Sequence, residues 1–115
     1  MTEIEHLAEK LRRFAADRDW DQFHSPKNLA SALAVEAAEL LEPFQWLTEE
    51  QSRNLPASKL AAVKDEIADV FIYLVRLSDK LGVNLLEAAA DKILRNADKY
   101  PVAKVMGSSA KYTEL

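Results

Sequence analysis

Asp65-Glu66-Ile67-Ala68-Asp69-Val70-Phe71-Ile72-Tyr73-Leu74-Val75 decides the fold class. From Ile67 onward the run is apolar almost all the way round a helix, and a helix of that kind must be buried all round. It lies within a helix that starts at Ser58 and ends near Leu81, with Gly82 placed as a C-terminal cap. At 1.5 Å per residue that helix is roughly 35 Å long. The apolar run from Ile67 to Leu77 contains Asp69 and Arg76 and is too short to span a bilayer. Three other short helices in a chain of 115 residues can hardly cover it, so a second subunit is expected to do so.

Those other helices are read outward from this one. Ile4, Leu7, Leu11 and Phe14 give the stretch from Thr2 to Asp17 one apolar stripe. Arg18 to His24 is a loop of aromatic and acidic residues. Ser25-Pro26 then starts a second helix, because serine caps free N–H groups and proline fits the first helical position. Leu29, Leu33, Ala37, Leu40, Leu41 and Phe44 form its apolar face, and Pro43 must kink or end it. Thr48 to Pro56 is a connector in which Thr48 and Gln51 can cap one short turn. Asn84 and Glu87 open the last helix, which stops by Lys99 because Tyr100 precedes Pro101. Residues 102–115 show no clear period and read as a C-terminal tail. The expected fold is an all-α, four-helix bundle-like domain over residues 1–101, completed by oligomerisation.

Composition excludes several classes. The 2 glycines form neither a GxGxxG nor a GxxxxGK[ST] motif, which leaves Rossmann and P-loop readings without support. With no cysteine there is no disulfide and no thiolate metal site. Acids outnumber bases 19 to 15, which argues against a nucleic-acid polymer as partner. The charged N-terminus is not a signal peptide. The expectation is a soluble, cytoplasmic protein with no membrane partner.

Two acidic pairs carry the chemistry. Glu36 and Glu39 form one, and Glu66 and Asp69 the other, each at i, i+3 spacing and so on one helix face. Glu36 interrupts the stripe of Leu29, Leu33 and Leu40, and Glu66 that of Val63, Val70 and Tyr73. Carboxylates gathered in a low-dielectric site repel one another and lose solvation. A divalent cation among them makes the arrangement tolerable, and carboxylate-only ligands suit Mg²⁺, or Mn²⁺. A di-iron site is set aside, since that class needs a Glu-x-x-His motif on each of two helices and only Glu3-Ile4-Glu5-His6 has that spacing here. Lys92, Arg95, Asn96 and Lys99 share a polar, mostly cationic face. It reads either as a solvated face balanced by Asp91 and Asp98 or as a phosphate clamp. Trp20, Phe23, Phe44 and Trp46 flank the second helix and supply flat surfaces for core packing or for stacking on a nucleobase. His24 reads either as a hydrogen-bonding partner for a base or phosphate or as a loop histidine with no role.

The paired motif, with 26 residues between Glu39 and Glu66, resembles the MazG-type all-α nucleotide pyrophosphohydrolases. The resemblance is closest to their dCTP pyrophosphatase branch and spans nearly the whole chain. It is carried by Phe14 to His24, Pro26-Lys27-Asn28-Leu29, Phe44-Gln45-Trp46, Ile72-Tyr73-Leu74-Val75, Lys99-Tyr100-Pro101 and Lys111-Tyr112-Thr113-Glu114-Leu115. It implies Mg²⁺-dependent cleavage of a deoxynucleoside triphosphate, dCTP or a modified dCTP, to the monophosphate and pyrophosphate. Glu36, Glu39, Glu66 and Asp69 would bind the metal, with Glu36 or Glu39 activating water. Trp20 and Trp46 would line the base pocket, and Lys92, Asn96, Tyr100 and Tyr73 would hold substrate. The candidate substrate set also takes in His24, Lys27, Asn28, Arg95 and Lys99. The resemblance implies a homo-oligomer, a tetramer built as a dimer of dimers.

The chain departs from the family pattern at Val35, where the general motif opens with two adjacent glutamates, and at Leu11, where vertebrate-like members carry a histidine. The same chemistry on dUTP or another non-canonical nucleotide, and a non-enzymatic helical oligomer, are the alternative readings. Without the four proposed ligands the acids number 15, equal to the bases, so the net charge of −4 is the charge of the site.

Overall fold

The computed structural model describes residues 1–114; Leu115, the last residue of the terminal stretch quoted above, lies outside the described residues. The described residues are all-α, with no strand. The helices are α1 (Glu3–Asp17), α2 (Pro26–Leu41), α3 (Glu49–Arg53), α4 (Ala57–Leu81), α5 (Leu85–Lys99) and α6 (Val102–Val105). Two 3₁₀ turns, Asp21–Phe23 and Tyr112–Glu114, accompany them. No helix among the described residues is long and apolar enough to cross a membrane.

The helix ends follow their capping chemistry. Thr2 and Glu5 form a reciprocal capping box at α1, and Thr48 and Gln51 form another at α3. Ser25 Oγ accepts from Asn28 N at 3.1 Å, with Pro26 in the first turn of α2. α2 ends at Leu41, and tight turns carry the chain past Pro43. Asn84 Oδ1 accepts from Glu87 N at 3.0 Å to open α5. Gly82 closes α4 in the left-handed region at φ 66°, which costs glycine little and any residue with a Cβ more.

Two pieces of structure escape the periodicity. The helix α6, four residues long, and the 3₁₀ turn Tyr112–Glu114 lie in the segment 102–115. Neither is long enough to show a hydrophobic period, so the segment looks featureless as sequence.

The chain divides into two compact units, Met1–Gly82 and a second beginning at Val83. In the first, α2 packs most extensively against α4, and α1 packs on α4 as well. Its core is thin: Ala8, Ala15, Leu29, Val63 and Val75 are buried. The apolar run on α4 is buried on one side only, since Val75 is 1% exposed while Ile67 is 54% exposed. In the second unit, Tyr112 packs edge-on against Tyr100 with ring centroids 6.1 Å apart, and Lys99 Nζ lies 4.9 Å from the Tyr112 ring.

Leu29 is 1% exposed and anchors α2 in this small core. Leu29→Ala is expected to lower the unfolding free energy by about 2–5 kcal/mol in chemical denaturation. Gly82→Ala meets no steric neighbour, and is expected to cost only the roughly 1–2 kcal/mol of the left-handed backbone.

Candidate functional site

α2 and α4 each bring acids to their shared face. Glu36 and Glu39 stand one turn apart on α2, and Glu66 faces them from α4. One carboxylate oxygen from each of the three lies within 4.8 Å of the others. Oε2 of Glu36 and Oε2 of Glu66 are buried without a hydrogen-bond partner. A buried, unpartnered carboxylate oxygen is expensive. The Glu36 carboxyl is accordingly raised to about 7: burial contributes most, then its hydrogen bond with Glu39 and the charge of Glu39, then Glu66 and the charge of Asp69. Asp69 stands outside the group of three and reaches it through its charge.

Three oxygen donors that are close, anionic and partly unsatisfied fit a hard divalent cation. Such an ion removes the repulsion and occupies the lone pairs that the protein leaves empty.

Beside the acids lies an open cleft of about 520 Å³, lined by Glu39, Glu42, Pro43, Ser58, Lys59, Ala62 and Glu66. Lys59 is a lining residue that the motif reading missed. Its position seven residues before Glu66, two turns along the same face of α4, is the signal that could have found it.

The aromatic loop is built from α1 outward. Trp20 N donates to Ala15 O at 2.9 Å, and Asp19 takes a left-handed φ of 54° to make the turn. The Trp20 ring meets Phe14 edge-on at 5.8 Å, and the Arg18 guanidinium lies over the other partner, Phe14, at 3.6 Å. Asn28 Nδ2 donates to Phe23 O at 3.0 Å, so this residue braces the loop against the start of α2. Arg76 ties the same loop to α4 through Asp21 and His24, at 3.1 Å each.

Trp20 stays 45% exposed and Trp46 86% exposed. These faces are open to a ligand rather than consumed by a core. Lys27 is exposed on the first turn of α2, and Tyr73 is half-buried on α4. The structure thus gathers Glu36, Glu39 and Glu66 tightly, with Asp69 within electrostatic reach. Lys92, Arg95, Asn96, Lys99 and Tyr100 belong to the second unit. There the first four lie exposed on α5, and Tyr100 caps it.

Comparison with known proteins gives consistent results. The sequence model of the MazG-like family matches residues 31–115. The dCTP pyrophosphatase 1 of Mus musculus is 44% identical over 117 residues, covering 96% of this chain and 69% of that protein. The dCTP pyrophosphatase 1 of Homo sapiens is 43% identical over the same shares. A crystal structure of a pyrophosphatase from Archaeoglobus fulgidus superposes with a TM-score of 0.82 at 40% identity, covering 88% of this chain and 94% of that one.

The raised Glu36 carboxyl makes stability depend on pH. The folded protein holds a proton up to about 7 that the unfolded chain releases near 4.5. Without a divalent ion, the Glu36 contribution is full below 4.5 and is lost as pH rises through about 7. Melting temperatures in chelator are expected to fall across this window. Mg²⁺ or Mn²⁺ should restore stability on the alkaline side, and Glu36→Gln should flatten the profile.

Proposed function

The chain belongs to the MazG-like family, and on that premise we propose that it is a nucleotide pyrophosphohydrolase. Its proposed substrate is a deoxynucleoside triphosphate, dCTP or a modified dCTP, cleaved between the α and β phosphates. The observation that carries this reading is the cluster of Glu36, Glu39 and Glu66 with two buried oxygens left unpartnered. The named activity of the relatives that match 96% of the chain supports the substrate class.

In this proposal Glu36, Glu39 and Glu66, joined by Asp69, hold Mg²⁺ or Mn²⁺. The bound cation supplies charge neutralisation at the phosphate oxygens. Glu36 or Glu39 accepts the proton of the attacking water as general base. The water oxygen bonds to the α phosphorus, and the bond to the oxygen bridging to the β phosphorus breaks. Pyrophosphate leaves with that oxygen. Trp20 and Trp46 offer their open faces to the base, and His24, Lys27, Asn28 and Tyr73 complete the grip on the nucleotide. Lys92, Arg95, Asn96, Lys99 and Tyr100 offset or bind the phosphates.

We also propose that the working unit is a homotetramer, a dimer of dimers. Large apolar side chains support this: Leu60 is 55% and Ile67 54% exposed on α4, and Ile93 is 67% and Leu94 68% exposed on α5. A cytoplasmic location suits a chain without cysteine, which needs no oxidising compartment.

Turnover of dCTP with Mg²⁺, followed by pyrophosphate release, tests the activity. Wild type is expected to be active and chelator to abolish the rate. Glu66→Ala should lose about 10²–10³-fold, the usual loss for one preorganised transition-state contact. A folded Glu66→Ala variant with full rate overturns the site. A panel including dUTP and other triphosphates in which none is hydrolysed overturns the activity. Light scattering is expected to give four times the chain mass of 12.9 kDa.

A further inference from the structure

Away from the carboxylates, the most deeply buried polar side chain among the described residues is Arg76 on α4, at 3% exposed. Its Nη2 lies 3.1 Å from Asp21 Oδ1 and 3.1 Å from His24 Nδ1. Its Nη1 is 3.9 Å from Asp79 Oδ2. The two acids have second partners: Lys80 Nζ reaches Asp21 Oδ1 at 2.6 Å, and Arg12 Nε reaches Asp79 Oδ2 at 3.3 Å. Arg76 is therefore the centre of a network joining α1, the loop and α4. Buried ion pairs of this kind add little net stability over apolar packing, and their better-attested use is to fix one arrangement.

The arrangement fixed here includes the proton on His24. A guanidinium has only donors and stays charged. At 3.1 Å from Arg76 Nη2, His24 Nδ1 has to be the acceptor. The proton of the neutral ring then sits on Nε2. No acceptor for that Nε2–H is found among the described residues, so it remains available as a donor. Burial, and then the charge of Arg76, push the His24 pKa below its usual 6.5, which keeps the ring in this neutral form.

We propose that Arg76 is a positioning residue for nucleotide recognition. It pins the Trp20–His24 loop to α4 through Asp21 and holds His24 as the Nε2–H tautomer, a directed donor for an acceptor oxygen on the nucleotide. The identity of the ligand rests on the pyrophosphohydrolase reading, whereas the tautomer does not. The acceptor is a base carbonyl or a phosphate oxygen.

Nitrogen-15 NMR of the imidazoles of the full-length wild type reads the tautomer directly. His24 is expected to be essentially all Nε2–H, and a ring protonated on Nδ1 or evenly mixed overturns the proposal. Deoxycytidine and inorganic tripolyphosphate are then added separately. A shift of the His24 Nε2 resonance with the first assigns the base carbonyl and with the second a phosphate oxygen. A shift with neither overturns the proposal.

Arg76→Met leaves Asp21 with Lys80 and Asp79 with Arg12, so the fold is expected to persist. In this variant the His24 tautomers should mix and KM for dCTP should rise about 3- to 10-fold, the worth of one hydrogen bond, with kcat within about twofold. In a His24→Ala background the same substitution should raise KM by less than it does in wild type, since only the Asp21 tether is left to lose. An equal KM rise in both backgrounds, or a fall in kcat alone, overturns the positioning role. Absence of turnover in wild type defeats the pyrophosphohydrolase reading instead, and the NMR arms still decide this one.

Discussion

Everything in the first unit depends on how α2 lies against α4, because that packing forces acids into one another's company. Helical geometry alone puts Glu36 and Glu39 on one face. It takes the α2–α4 contact to bring Glu66 within 4.8 Å of both. Apolar burial drives the contact, with Leu29 and Val63 in its core. The acids oppose it by repulsion and lost hydration. In the metal-free chain this tension appears in the Glu36 carboxyl, raised to about 7, which takes back a proton to relieve it. A divalent cation does the same job with more charge and more lone pairs filled.

The thin core has a related cause. A chain of 115 residues that spends part of its α2–α4 face on carboxylates has fewer apolar positions left to bury. Among the described residues five hydrophobic side chains are buried, while Ile67, Phe71 and Leu74 remain open along α4. The apolar run that looks buried all round is, in one chain, buried on one side. Covering the other side with a second copy would reconcile the sequence pattern with the exposure.

Most of the fold was legible in the sequence because its helix ends carry explicit chemistry. Thr2, Ser25, Thr48 and Asn84 cap the helices that follow them, and Gly82 closes α4. The short α6 was not legible, since one turn cannot display a period. Of the candidate site, Glu36, Glu39 and Glu66 were readable as acids on apolar stripes. Lys59 was not read, because its one signal, a place two turns before Glu66 on the same face of α4, gains meaning only once the cleft beside it is seen. Arg76 was readable only as a charge that spoils an apolar run. Its partners Asp21 and His24 lie 55 and 52 residues away, and no local pattern encodes contacts at such separations.

Arg76 and the carboxylates show two solutions to one problem. Both are charges carried on α4 into a poorly hydrated environment. The guanidinium is matched from inside the chain by Asp21, Asp79 and the His24 ring, leaving only Nε without a partner. Among the described residues the carboxylates have no cationic partner and face each other instead. Evolution of stability alone would treat the two alike, since either could be replaced by apolar packing. The difference points to what each charge is for. A charge neutralised from within organises its neighbours, here the loop that presents Trp20. A cluster left unneutralised keeps an affinity for a cation from without. One end of α4 thus holds a fixed frame and the other an open valence, and a nucleotide carrying both a flat base and a metal-binding phosphate chain is the kind of ligand that uses both.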